Sequence, residues 1–168
     1  GKPFTHNGKP FYRLKPDSGQ LKGDDPPKYL SPKTGGCRPY FSPLLPANAL
    51  AAGRDIDITE GEKKADCVNY HGFPTIGLSG VDAWRDRRNC KPDEHSRPLP
   101  ELQKINWRGR KVCLVFDSDV TSKDSVRRAL NDLSAWLTDQ GASVLIVLLP
   151  CEIDGSKNGI DDFICRHG

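Results

Sequence analysis

Two short stretches carry carboxylates at spacings that suit a divalent cation. One is Asp55-Ile56-Asp57-Ile58-Thr59-Glu60-Gly61-Glu62-Lys63-Lys64. The other is Val112-Cys113-Leu114-Val115-Phe116-Asp117-Ser118-Asp119. Each reads as a strand that ends in acids. In a parallel α/β sheet, residues just past the carboxyl ends of strands face one shared crevice. If the two strands are neighbours, Glu60, Asp117 and Asp119 converge on Mg²⁺ (or Mn²⁺), which takes oxygen ligands and keeps places for water and phosphate. Asp117 and Asp119, two apart, share a face and can reach one cation or a pair. Glu60 is either a third ligand or a general acid/base, if crowded negative charge raises its pKa. Asp161 and Asp162 form a third acidic cluster on the same side if the topology holds. Lys63, Lys64 and Lys157 are then placed to touch phosphate oxygens. Taken singly, D-x-D and Glu-Gly are also what caps and loops look like. The pair, each directly after a strand, is far more specific.

The elements that must position these residues follow from periodicity. Residues 55–59 alternate apolar and polar, then stop at Glu60-Gly61. Residues 62–71 read as a helix, with Ala65, Val68 and Asn69 on one side and Gly72 as its stop. Residues 73–78 are a second strand, ended by Gly77-Leu78-Ser79-Gly80, which is either a tight turn or a close backbone approach to a ligand. Residues 112–116 form a continuous apolar run, as expected of a strand buried on both faces. A helix follows, capped by Thr121 or Ser122, with Val126, Ala129, Leu130, Leu133, Trp136 and Leu137 along one stripe and Gly141 ending it. Residues 142–149 read as another buried strand, closed by Pro150. Gly159-Ile160-Asp161-Asp162 opens a last helix. The order β-α-β-insertion-β-α-β-α predicts an α/β domain with a mostly parallel four-stranded sheet and flanking helices.

Around this core lie two basic segments. Residues 1–50 form an arm with nine of the fourteen prolines, six aromatics, and eight Lys/Arg against three Asp. Proline keeps it out of helix. Its aromatics either pack on the core, with 11–14 and 28–30 as a hairpin, or stack on single-stranded nucleic acid. The domain proper is residues 51–168. An insertion at 85–110 carries eight Lys/Arg (Arg85, Arg87, Arg88, Lys91, Arg97, Lys104, Arg108, Arg110) against four acids. Its prolines predict a loop with a short helix over 100–105, and so long a basic loop is usually functional or disordered. Arg85, Arg87, Arg88, Arg108 and Arg110 join the three lysines as candidate nucleic-acid contacts.

The six cysteines, at 37, 67, 90, 113, 151 and 165, have no C-x-x-C spacing. They read as free thiols in a reducing compartment. Zinc on Cys90 and His95, or on Cys165 and His167, lacks a second ligand pair. The absence of Met and the opening Gly suggest a piece of a longer protein, whose other domains would be partners. No apolar run approaches the ~18 residues of a membrane helix. Neither G-x-G-x-x-G nor G-x-x-x-x-G-K-[ST] occurs, which argues against a Rossmann dinucleotide site or a P-loop.

Strand–Glu60-Gly61–helix followed by strand–Asp117-Ser118-Asp119 resembles the Toprim domain of primases, topoisomerases and some nucleases. The run 58–65, together with Gly159-Ile160-Asp161-Asp162-Phe163, looks most like the Toprim-like DUF3854 group of phage and plasmid replication proteins. The resemblance spans roughly residues 55–165. It implies a Rossmann-like sheet, Mg²⁺ on Asp117 and Asp119, and Glu60 as acid/base or ligand. It also implies phosphodiester formation or cleavage on DNA or RNA, in the cytoplasm of a bacterium. The insertion departs from the minimal pattern. Two other readings stand beside it. Asp117-Ser118-Asp119-Val120-Thr121 also matches the D-x-D-x-T of haloacid-dehalogenase-type phosphotransferases, with Asp117 as nucleophile. A Toprim-like module that only binds nucleic acid is the third.

Overall fold

The computed structural model describes residues 4–17, 29–33, 35–86, 97–118 and 123–167. Nine strands and four helices occur among them. In chain order they are β1 (Thr5–His6), β2 (Lys9–Pro10), β3 (Tyr40–Phe41), β4 (Ile56–Glu60), α1 (Glu62–Tyr70), β5 (Thr75–Leu78), β6 (Arg85–Asp86), β7 (Arg97–Pro98), α2 (Pro100–Gln103), β8 (Lys111–Phe116), α3 (Asp124–Asp139), β9 (Ser143–Leu148) and α4 (Ile160–His167). The central sheet has the order β3-β5-β4-β8-β9. The strands β5, β4, β8 and β9 run parallel, and β3 is antiparallel to β5.

The sheet therefore has one strand more than expected, because the arm supplies β3. Tyr40 pairs with Gly77 and Phe41 with Ile76. The Tyr40 hydroxyl donates to Asp66 on α1 at 3.0 Å, and the Ser42 hydroxyl at 2.6 Å. Burial and the Asp66 carboxylate push the Tyr40 hydroxyl up to about 12. Phe4 meets Phe41 with ring centroids 6.2 Å apart. Arg13 pairs with Glu62 and lies over the Tyr29 ring. These aromatics pack, while Tyr12 stays 65% exposed. The pairing of 11–14 with 28–30 narrows to one antiparallel bridge, Leu14 with Leu30, and Lys28 lies outside the described residues. Asn7-Gly8, with φ of 50° and 72°, turns β1 into β2; this is the hairpin signal of an Asn-Gly pair.

Alternation along the strands sorts the two faces. Ile56, Ile58, Ile76, Leu78, Val112, Leu114 and Phe116 join Leu130, Leu133 and Leu137 of α3 in one core cluster. The other face is mostly small or polar, with Asp57, Thr59, Thr75, Gly77 and Cys113 beside Val115. That lets α1 sit close. A Cβ on Gly77 would come within 3.0 Å of the Gly61 carbonyl and 3.1 Å of Ala65 Cβ. Close helix packing, rather than a ligand, accounts for that glycine. The Asn69 amide staples the helix end to β5, donating to Ala65 O and Thr75 O at 2.7 and 2.8 Å and accepting from Thr75 N.

Two expectations need correction. The 85–110 segment is more than a basic loop. Its short helix, α2, is as expected, but it also forms the β6–β7 ladder, and Leu99, Leu102, Ile105 and Trp107 are buried in the core. Trp107 donates its indole N–H to Leu102 O at 2.9 Å. The second correction concerns β9, which is not buried on both faces. It lies at the sheet edge, and Leu145, Ile146, Val147 and Leu148 are 38–59% exposed. The helix stripe of α3 and its stop at Gly141 (φ 87°) are as expected; Thr121 and Ser122, the expected caps, lie outside the described residues. The five described cysteines are free thiols, and Cys90 and His95 lie outside the described residues. Among the described residues no helix is long and apolar enough to cross a membrane.

Asp57 gives the fold a pH dependence. It is half-buried in mid-strand beside Cys113. Burial pushes its carboxyl up to about 6, against an opposing hydrogen bond from Cys113. A folded pKa above the unfolded 3.8 means the native state binds this proton more tightly. Stability is therefore lost as pH rises from about 4 to about 6. Asp57→Asn should remove that loss. At pH 7.5 the unfolding midpoint should rise by ~2–4 °C, on the order of 1 kcal/mol after solvent screening. At pH 4 it should not rise. An unchanged midpoint at pH 7.5 would show that the carboxylate is fully solvated.

Candidate functional site

Glu60 and Asp117 end neighbouring strands at one rim of the sheet. Thr59 is level with Val115, so Glu60 is level with Phe116 and Asp117 follows at once. The chain leaves β4 through Gly61, whose φ of 96° needs glycine. The Gly61 amide donates to Leu78 O at 2.6 Å, closing the turn against β5. Glu60 is half-buried, and among the described residues its side chain has no ion-pair partner.

Asp117 is 3% exposed, and both its oxygens face ammonium groups. Lys64, one turn into α1, is paired with Oδ1. Lys157 Nζ lies 2.7 Å from Oδ2. Lys64 is there because helix geometry puts it above the strand end that β4 leaves. Lys157 is there because the 150–159 loop is strapped to the turn after β8. Ser118 N donates to Asn158 O at 3.0 Å, and Asn158 N donates to Ser118 Oγ at 2.9 Å. Asn158 Nδ2 also donates to Pro150 O at 3.1 Å. Behind them Gly159 leaves no room: a Cβ would fall 2.6 Å from Asp161 Oδ1 and 2.8 Å from Lys64 Cε. Asp161 therefore borders Lys64. Asp162 instead accepts from the Gly159 amide at 3.4 Å, at the head of its own helix.

Three buried oxygens near this rim lack a partner among the described residues: Thr59 Oγ1, Asn158 Oδ1 and Asp161 Oδ1. Buried polar atoms are nearly always satisfied, by an ion or water where no protein group serves. The donors here are all oxygen, and Asp117 already draws two cations. That chemistry fits a hard divalent ion. Among the described residues no three His, Cys, Asp or Glu side chains are grouped closely enough to hold a metal by themselves. Asp119, the second acid of the D-x-D, lies outside the described residues, as do Arg87 and Arg88.

The remaining basic candidates scatter. Lys63 is exposed beside Lys64. Arg85 pairs with Asp82 at 3.1 Å and with Asp132, and lies over Trp84. It lines a cleft of about 470 Å³ against α3, with Arg128 and Ser125. That cleft is on the sheet face away from Lys64. Arg108 precedes β8 and packs on Gly141, at the end of the sheet opposite Asp117. Arg110 is not a surface contact at all. It is fully buried and its guanidinium donates to five backbone carbonyls. Sequence reasoning missed Asn158, and took Gly159 only as the start of the last helix. The signal was available: an amide and a glycine between Lys157 and an acidic helix start.

Comparison with known proteins adds a family. The chain is 31% identical over 123 residues to an uncharacterized protein of Picosynechococcus sp. (strain ATCC 27264 / PCC 7002 / PR-6), covering 67% of this chain. It spans only 12% of that relative's length. No solved structure matches. The family model described as Domain of unknown function (DUF3854) matches residues 52–168, which takes in Glu60, Lys64, Asp117, Lys157 and Asp161 together, and the chain belongs to the DUF3854 family.

Proposed function

We propose that the chain is a Toprim-like, Mg²⁺-dependent module that makes or breaks phosphodiester bonds in nucleic acid, within a phage- or plasmid-type replication protein. The observation that carries this reading is the pairing of two acidic strand ends at one rim, with two lysines drawn onto the buried carboxylate. Asp117, Asp119 and Glu60 would hold the ion, and Asp161 would offer a further oxygen. A bound Mg²⁺ supplies orientation of phosphate oxygens and charge stabilisation in the transition state. Lys64 and Lys157 bind the phosphate and fix its position. Glu60, half-buried at the strand end beside Asp117, would hold or move a proton at the attacking or leaving oxygen. DNA or RNA, single-stranded, is the substrate class, and other domains of the same parent protein are the partners.

The test is an assay on end-labelled single- and double-stranded DNA and RNA with Mg²⁺ or Mn²⁺, with and without nucleoside triphosphates. Wild type should lengthen or shorten a labelled strand only with metal. Glu60→Gln should lower that rate by roughly 10²–10⁴-fold while strand binding stays within about twofold. A wild-type protein that binds the strand and leaves it intact under every condition would make this a binding module instead.

A further inference from the structure

We infer that Cys67 and Cys165 form a dithiol site that takes up a disulfide bond by exchange with a low-molecular-weight disulfide, and that this bond clamps α4 onto α1. The two helices pack against each other, and their contact has two rungs. Lys64 and Cys67, three apart, share one face of α1. Asp161 and Cys165, four apart, share one face of α4. Lys64 borders Gly159 and Asp161 at the head of α4, so one turn further on Cys67 comes level with Cys165. Burial pushes the Cys67 thiol up, as do the charges of Cys165 and Asp161 and a hydrogen bond with Cys165. The two thiols thus meet across the helix pair, and both are unbridged. A disulfide spans Cα atoms up to about 7 Å apart, the spacing of facing residues on packed helices.

Cys165 is exposed and Cys67 half-buried, which sets the order of the exchange. The Cys165 sulfur, as thiolate, attacks the small disulfide and releases one of its halves as a thiol. The Cys67 sulfur then attacks Cys165 in that mixed disulfide and releases the other half. One Sγ–Sγ bond forms, the S–S bond of the reagent is lost, and the two thiol protons leave on the two released thiols. The protein is oxidised by two electrons and the reagent reduced by two. The bond has something to hold. None of the eight residues of α4 is buried, so apolar packing fixes the helix weakly. It nevertheless carries Asp161 beside Lys64 and follows closely on Asn158, which is strapped to Ser118. The two cysteines stand 98 positions apart, and a cross-link over so long a loop removes much of the unfolded chain's freedom.

The test uses the whole chain, fully reduced, then freed of reductant and incubated with oxidised glutathione. Remaining thiols are blocked with N-ethylmaleimide, and each cysteine peptide is assigned by mass spectrometry as free, glutathione-bound or cross-linked. Wild type should give a peptide linking Cys67 to Cys165, lost again on adding dithiothreitol. Cys67→Ser should stop at a glutathione adduct on Cys165, and Cys165→Ser should leave Cys67 at least about tenfold slower to react. The oxidised wild type should unfold about 5–10 °C above the reduced protein, and its amides over 160–167 should exchange at least about tenfold more slowly. A wild-type protein in which Cys67 stays free, whether or not Cys165 carries glutathione, overturns the dithiol site, as does cross-linking confined to other cysteines. A link between 67 and 165 that leaves the unfolding midpoint and the exchange of 160–167 as they were in the reduced protein overturns the clamp. None of these readouts depends on activity toward nucleic acid, so they stand or fall apart from the metal-dependent proposal.

Discussion

Arg110→Met should lower the midpoint of thermal unfolding by roughly 10–15 °C, about 3–5 kcal/mol. The side chain is 0% exposed, and among the described residues no carboxylate pairs with it. Its five donors go instead to carbonyls: Nε to Asn106 at 2.6 Å, Nη1 to Ala49 and Arg54 at 3.1 and 2.6 Å, and Nη2 to Leu50 and Ala51 at 2.6 and 2.8 Å. Guanidinium has five N–H groups in one plane, so every donor is used. Burial pulls its pKa below the ordinary value, but the group stays charged at any working pH. Met fills the volume and satisfies none of the carbonyls. Each buried orphan costs about 1–3 kcal/mol. Leu50, Ala51 and Arg54 are exposed residues, so water reaches some carbonyls and the total falls well short of five such losses. Arg110→Lys keeps charge but has three donors in the wrong geometry, and should recover less than half of the midpoint. A Met variant melting within about 3 °C of wild type would show that solvent replaces the guanidinium. The consequence for the site is geometric. The knot ties residues 49–54 to the start of β8, which helps hold Ile56 level with Val112, and that register carries Glu60 and Asp117 to the same rim.

The second large effect belongs to Asp117. Asp117→Asn should reduce metal-dependent activity on nucleic acid by more than about 100-fold and Mn²⁺ affinity by more than about tenfold. An amide keeps the shape but is a poor partner for a divalent cation. It also leaves Lys64 and Lys157 facing each other without their carboxylate. Both ammonium groups reach solvent in part, so the cost in stability should be modest, about 1–2 kcal/mol. The two readouts separate cause. A folded variant with intact Mn²⁺ binding would remove Asp117 from the metal set. A variant that loses activity only in proportion to its loss of folded protein would make the residue structural.

Much of this was legible in the sequence, for identifiable reasons. The apolar run before Asp117 and the alternation before Glu60 each mark a strand, and the stripe from Val126 to Leu137 marks a helix. Those signals are local. The Glu60-Gly61 pair is legible because a left-handed turn after a strand selects glycine. What failed was non-local. Arg110 sits among basic residues and reads as surface charge; only tertiary structure shows five carbonyls around it. Leu99, Leu102, Ile105 and Trp107 lie in a proline-rich, cationic segment whose net composition hides a buried side. β9 reads as central because five of its six residues are apolar, and a pattern of residue types does not say whether a neighbour strand is present. Lys64 and Lys157 read in the sequence as candidate phosphate contacts; that both are held on Asp117 could not be read there, since 93 positions separate them along the chain.

The two flanks of the sheet are unequal. One ends in the two-residue β3, run in reverse and fastened to α1 through Asp66. The other ends in β9, whose five residues after Ser143 are all apolar and which carries no charge or proline to discourage lateral pairing. Among the described residues the sheet thus ends on one side in a short, fastened strand and on the other in an open, apolar edge, the side at which lateral pairing with another strand meets least charge.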